Sequence, residues 1–184
     1  MENKIKQLLS EKRYVHSMAV ASLARDLANS LGEDGKRAYL AGVVHDIAKE
    51  KPIPELIQIC EDNNIPLTPV ELANPVLIHA PAGAAILKDY GICDTQIENA
   101  VRYHTVGRAD MTLLEKIIYF ADMTEPNRVY KEVEELRALA KTDFDAAFAK
   151  AIEYSLIWNI EKGRLIHPGT LEAWNSILLE RKTI

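Results

Sequence analysis

The sequence predicts an all-α fold in a single domain of roughly eight to ten helices, and three observations carry that reading. Apolar residues recur at every third or fourth position through most of the chain, the spacing that lines one face of a helix. Glycine, proline and paired asparagines fall where those stripes end or begin. No segment alternates apolar and polar residues for more than a few positions, so no strand is expected.

The stripes follow in chain order. Ile5, Leu8 and Leu9 form the first, and Val20, Leu23, Leu27 and Leu31 the second, which Gly32 ends. Leu40, Val43, Val44 and Ile47 make a third, and Ile53, Leu56, Ile57 and Cys60 a fourth, closed by Asn63-Asn64 before Pro66. Pro52, Pro69, Pro75 and Pro168 mark helix starts, where a missing amide hydrogen costs little. Gly91 and Gly107 mark ends, and Asp94-Thr95 supplies an N-cap ahead of Ile97. Leu113, Leu114, Ile117, Ile118 and Ala121 form a further helix face. Thr142-Asp143 then caps one built on Phe144, Ala147, Phe148, Ala151, Ile152 and Leu156.

Length and charge narrow the class. At 184 residues the chain suits one domain, 1–184, able to bury a core without disulfide or structural metal. Cys60 and Cys93 are its two cysteines, with no CxxC pair, which excludes a disulfide scaffold and a thiolate zinc site. A net charge of −5 argues against a nucleic-acid partner. The charged N-terminus lacks the apolar core of a signal peptide, and no apolar run reaches the roughly 18 residues of a membrane span. The expectation is a soluble cytoplasmic protein with no membrane partner.

Six residues break the apolar pattern. His16 lies one turn before Val20, and His45-Asp46 interrupts the run LAGVVHDIAKE. His79 lies in NPVLIHAPAGA, His104 in AVRYHTVGR, and Asp122 in IIYFADMTEP. A buried ionised carboxylate costs several kcal/mol unless a cation or a hydrogen-bond network answers it. Any one of these histidines alone reads as a hydrogen-bonded core residue, and either aspartate as a cap or ion-pair partner. Six together favour a metal site, and an all-nitrogen and oxygen set suits iron, manganese, zinc or similar divalent ions. No histidine follows a glutamate by three positions, and HExxH, P-loop and Rossmann motifs are absent, which excludes those other site types.

The order His16, His45-Asp46, His79, His104, Asp122 resembles the HD-domain metal-dependent phosphohydrolases. The stretches YVHSMAVA, AGVVHDIAKE, NPVLIHAPAGA, RYHTVGRADM and IIYFADMTEPNR resemble the YqeK family within it. That resemblance implies a helical bundle of the HD type, with a metal-binding core over about 13–128 and compatible C-terminal helices over 129–184. It implies symmetric hydrolysis of diadenosine tetraphosphate to two ADP at a dinuclear site, with iron the first expectation for the two divalent ions. His16, His45, Asp46 and Asp122 would hold one ion, and Asp46 would bridge to a second held by His79 and His104. Two cations about 3.5–4 Å apart do need a bridging anion, and water bound between them is acidified towards about pKa 7, giving hydroxide for attack on phosphorus.

Around this set, Asp46 and Lys49 are the catalytic candidates, Lys49 lying one helical turn beyond Asp46. Arg13, Lys49, Thr105, Arg108 and Arg128 are the candidates for binding substrate phosphates, for which arginine offers a two-pronged donor fork. For Thr105 and Arg108 a surface role is the stronger competing reading, and His167 reads as structural or as part of the rim. Competing readings are an HD phosphohydrolase of deoxynucleotides, guanosine alarmones or cyclic dinucleotides, and a nucleotide-sensing module without turnover. A homodimer is compatible with the sequence.

Overall fold

The computed structural model describes residues 1–182, which form eleven α-helices and two 3-10 turns with no strand. The helices are α1 (Glu2–Leu8), α2 (Glu11–Leu31), α3 (Gly35–Val44), α4 (Ile53–Asp62), α5 (Pro69–Ala73) and α6 (His79–Ile86). They continue with α7 (Thr95–Tyr103), α8 (Leu113–Thr124), α9 (Val133–Ala140), α10 (Phe144–Glu161) and α11 (Pro168–Lys182). The 3-10 turns are Pro75–Ile78, leading into α6, and Leu87–Tyr90, leaving it. The all-α expectation holds, but the count exceeds it. The extra elements are short: α5 has 5 residues and α9 has 8, too few to repeat a stripe.

The α2–α3 hairpin is the most closely packed helix pair. Its contact face is made of small residues, with Ala21, Ala24 and Ala28 meeting Ala38, Ala41 and Gly42, all buried. At Gly42 a Cβ would lie 2.5 Å from Ala21 Cα, so only glycine permits this approach. The short connection makes the two helices antiparallel, which brings the start of α2, with His16, beside the end of α3, with His45. Helix α8 packs across α2, α3 and α7, and α6 and α7 close the far side. Behind α8 lie α9 and α10, with α11 against α10. Tyr119 meets Phe148 edge-on at 5.8 Å between ring centres, and Phe120 meets Phe144 at 5.4 Å. These pairs fix the rotation of α8 and with it the direction of Asp122.

Caps behave as the sequence implies. Asp94 accepts from the amides of Gln96 and Ile97, and Asp143 from that of Ala146. Thr112 and Glu115 form a reciprocal box that starts α8. One stripe is cut short. α3 ends at Val44, and the chain then turns tightly, Ile47 donating to the Val44 carbonyl and Lys49 to that of Asp46. The stripe residue Ile53 opens α4 at 45% exposure rather than joining the core. Among the described residues no helix is long and apolar enough to cross a membrane.

Candidate metal centre

The six residues singled out above converge on one spot from five elements. His16 comes from α2, His45 and Asp46 from the turn after α3, His79 from the start of α6, His104 from the end of α7 and Asp122 from α8. Neighbouring imidazoles stand edge-on, with ring centres 5.2 Å apart for His16–His45, 5.0 Å for His45–His104 and 5.1 Å for His79–His104.

Three of the four histidines are fixed in one tautomer by the same local device. Nδ1 of His45 donates to the Gly42 carbonyl at 2.7 Å, that of His79 to Val76 at 2.5 Å, and that of His104 to Val101 at 2.6 Å. A carbonyl can only accept, so Nδ1 carries the hydrogen and each Nε2 presents a lone pair. Each acceptor lies three residues before its histidine, so the preceding helical turn aims the ring. His16 is held differently: its Nδ1 donates to the Glu125 carboxylate at 3.2 Å.

Those lone pairs face one another and the carboxylates. Nε2 of His79 and Nε2 of His104 are 3.2 Å apart, two acceptors with no hydrogen available between them. Nε2 of His45 is fully buried without a hydrogen-bond partner. Around it, one ligand atom from each of His16, His45 and Asp122 lies within 4.8 Å of the others, as do those of His45, Asp46 and His104. The two oxygens of Asp46 divide their neighbours. Oδ1 is 3.1 Å from Nε2 of His79 and 3.6 Å from that of His104. Oδ2 is 3.6 Å from Nε2 of His45 and 3.9 Å from that of His16. Asp122 Oδ1 is 3.0 Å from Nε2 of His16. Opposed lone pairs and an orphaned buried nitrogen are what a cation would satisfy, so the set fits divalent metal on its own chemistry.

Protonation favours the same reading. Burial drives the His45 imidazole down to about 4 and lowers that of His79, so both are neutral bases. Burial would raise the Asp46 carboxyl, but His45, His104, His79 and Lys49 hold it well below the usual carboxylate range. The Asp122 carboxyl is also held far down against its burial, by His16, His45 and Arg128. Burial alone would lower His16, yet Asp122 and Glu125 on its two nitrogens raise it. Ionised carboxylates and the unprotonated imidazoles of His45 and His79 are ligand forms of these groups, whereas His16, raised by its two acids, would give up its proton to a metal.

The cationic candidates divide. Arg13 Nη1 donates to Asp46 Oδ2 at 3.2 Å, and Lys49 Nζ lies 3.8 Å from Asp46 Oδ1 and 3.1 Å from Nε2 of His79. Burial lowers the Lys49 ammonium, against the pull of Asp46. Arg128 donates from Nη2 to Asp122 Oδ1 at 2.6 Å and from Nε to the Asp122 carbonyl. Arg13, His16, Glu125, Asn127 and Arg128 line an open cleft of about 550 Å³ that reaches the cluster. Arg108 does not join them. Its guanidinium is bound at 3.0 Å to both oxygens of Glu115, a fully buried carboxylate that needs this partner. Thr105 follows His104 with its Oγ1 buried and unpartnered.

Glu125, 2% exposed, is the residue that the sequence reading missed. Its Oε2 accepts from the Asn127 amide at 2.6 Å, and Arg137 binds the carbonyls of Thr124, Glu125 and Arg128, so the turn presenting Glu125 is itself braced. The only sequence signal was an acid one turn beyond Asp122, just before the helix-ending Pro126.

Known proteins match this chain along nearly its whole length. Residues 13–127 match the HD domain. The symmetrical bis(5'-nucleosyl)-tetraphosphatase of Bacillus subtilis is 41% identical over 93% of this chain and 92% of its own. The protein of that name from Staphylococcus aureus is 34% identical over 92% and 89% respectively. The crystal structure of an HD superfamily hydrolase from Clostridium acetobutylicum superposes with a TM-score of 0.93 at 39% identity, covering 97% of this chain and 95% of that one. With four histidines and two aspartates already gathered as their order foretold, this chain belongs to the HD-domain family, in the branch that holds the symmetrical bis(5'-nucleosyl)-tetraphosphatases.

Proposed function

We propose that this chain hydrolyses diadenosine tetraphosphate, and related dinucleoside polyphosphates, at the central phosphoanhydride to give two nucleoside diphosphates, and does so in the cytoplasm. The observation that carries the two-ion form of this reading is the divided Asp46 carboxylate, one oxygen toward His79 and His104 and the other toward His16 and His45. Two divalent ions are proposed, with iron first and manganese or zinc as alternatives. His16, His45, Asp46 and Asp122 would hold one, and Asp46, His79 and His104 the other. When bound, such ions supply an acidified water and neutralise phosphate oxygens.

The chain's own groups do the positioning. Arg13 and Arg128 flank the cleft at 35% and 39% side-chain exposure, and both are already oriented by site carboxylates. Each is thus pre-set to hold a phosphate oxygen without ordering a free side chain. Lys49, mostly buried beside Asp46 and His79, brings a positive charge to the reacting end of the cleft. The ADP that departs leaves as a phosphate anion. It therefore needs neighbouring cations more than a proton donor, which fits a site rich in arginine and lysine. Thr105 stays a weaker candidate for a phosphate contact.

The test is a panel of nucleotides given to the metal-loaded protein, with products separated by chromatography. Diadenosine tetraphosphate should yield ADP alone, and in ¹⁸O-labelled water one ADP per turnover should carry label. AMP with ATP as the main products would overturn the symmetric cut. Faster turnover of a deoxynucleotide, a guanosine alarmone or a cyclic dinucleotide would overturn the substrate, and binding without turnover would make the chain a sensor.

A further inference from the structure

His167 lies outside the residues matched to the HD domain, and nothing above gives it a task. It stands immediately before α11, where the chain is stitched to two parts of the metal centre at once. On one side, Thr170 Oγ1 donates to the Val106 carbonyl at 2.8 Å, in the turn that follows His104. Gly169 packs against that same turn so closely that a Cβ there would come within 2.6 Å of the Gly107 carbonyl oxygen. Gly107 itself has φ +70°, and a Cβ on it would press against Ala173 of α11 at 3.1 Å. On the other side, His167 faces Glu71 of α5, which leads through the Pro75–Ile78 turn directly into His79.

The bonding within this segment fixes its direction. The Gly169 amide donates to Nδ1 of His167 at 3.0 Å, so Nδ1 is the acceptor and Nε2 carries the hydrogen. That Nε2–H is buried without a hydrogen-bond partner. Its nearest acid is Glu71, whose Oε2 lies 3.8 Å away at ion-pair rather than hydrogen-bond distance, with both side chains nearly buried at 12% and 11% exposure. The Glu71 carboxylate is in turn tied to the amide of Thr68 at the start of α5. Burial would raise that carboxyl, and His167 and Thr68 hold it below its ordinary value. The start of α11 thus spans the turn behind His104 and the short helix ahead of His79.

We propose that this clamp of His167, Gly169 and Thr170 sets the spacing of the His79 and His104 rings, making these residues positioning residues for the second of the two metal ions. The inference rests on the two-ion reading above. Its physical basis is that the two rings come from separate helices. Their Nε2 atoms oppose each other at 3.2 Å, so their spacing depends on how α6 and α7, which pack directly on each other, are held at the ends that carry the two rings. The start of α11 contributes to that hold through the turn after His104 and through Glu71 of α5, whereas His16 and Asp122 come from α2 and α8.

The experiment is a titration of metal-free full-length protein with Mn²⁺, counting bound ions and their affinities by calorimetry and by the free-ion paramagnetic signal. Thr170→Val keeps shape but removes the donor to Val106, and should weaken the second ion by about tenfold while leaving the first unchanged. Thr170→Ser should restore wild-type binding. Ser176→Ala is the control for general loosening of α11, since Ser176 ties that helix to Asp110 rather than to the His104 turn. It should lower Tm without changing either affinity. Should Thr170→Val not fold, His167→Gln carries the same expectation. Two wild-type affinities in Thr170→Val, or an equal loss at both ions matched by Ser176→Ala, would overturn the clamp alone. A wild-type protein that binds a single ion would overturn the two-ion reading, and the clamp with it.

Discussion

Replacing Asp46 by asparagine tests the centre of the mechanism. The substitution keeps side-chain volume and removes one charge, so the α2–α3 packing is left intact. In the folded protein Asp46 is 2% exposed and its two oxygens serve different imidazole pairs, at 3.1 and 3.6 Å on one side and 3.6 and 3.9 Å on the other. Asparagine can offer its single oxygen to only one pair and must turn an NH₂ towards the other, where it meets nitrogen lone pairs instead of completing a ligand set. Deleting one charge-stabilising group from an active site costs about 10²–10³ in rate, and this group acts on both halves. Activity should therefore fall by at least about 10³-fold, or about 4 kcal/mol. The assay couples metal-to-protein ratio by mass spectrometry with ADP release from diadenosine tetraphosphate. Near-normal turnover by Asp46→Asn, with metal at the wild-type ratio, would refute the shared carboxylate.

Three further outcomes are expected. Glu125→Gln keeps a hydrogen-bond acceptor for His16 but removes the charge behind it, and should weaken metal binding on the His16 side by about tenfold in a Mn²⁺ titration, with little change in Tm. Gly42→Ala drives a methyl to 2.5 Å from the Ala21 backbone and should cost about 1–3 kcal/mol, read as a Tm several degrees lower, together with reduced metal affinity because the Gly42 carbonyl orients His45. Burial pushes the Cys60 thiol up to about 11, so at pH 8 it stays protonated and unreactive, while exposed Cys93 reacts. Native protein should thus titrate one thiol with Ellman's reagent and unfolded protein two, and two fast thiols in the native state would contradict the buried placement.

The fold class was legible because helix periodicity, proline starts and aspartate caps are local signals, and Asp94 and Asp143 cap as their positions foretold. The metal cluster was legible for a different reason: histidine and aspartate inside apolar stripes violate the burial rule, and the violation marks a site. Two kinds of feature escaped. The end of α3 at Val44 is set by tertiary demand, since His45 and Asp46 must both point inwards from adjacent positions, and the helical spacing of Leu40, Val43, Val44 and Ile47 gave no sign of a helix end there. Glu125 and the pairing of Arg108 with Glu115 depend on contacts across turns, and a charged residue in a sequence carries no sign of its partner. Arg108 therefore read as a phosphate contact when its charge is already committed to a buried acid.

The charge pattern also bears on how substrate arrives. The protein carries a net charge of −5, so its surface as a whole repels a polyphosphate. Inside the site, the carboxylates of Asp46, Asp122 and Glu125 are answered by Arg13, Lys49 and Arg128, leaving the chain's own charges near balance there. Divalent ions bound among neutral imidazoles would then make the pocket strongly positive, and a tetraphosphate chain is the ligand that cancels it. Attraction confined to one cleft, against a repulsive surround, acts within about one Debye length, about 10 Å at 0.1 M salt. Raising ionic strength from about 20 mM to about 200 mM should thus lower kcat/KM for diadenosine tetraphosphate severalfold through KM. kcat should change little, because groups buried in the site are poorly screened. The check is a salt series with metal held saturating, using a non-coordinating salt. A kcat/KM indifferent to salt, or a fall carried by kcat instead, would show that the phosphate chain is not held by this positive pocket.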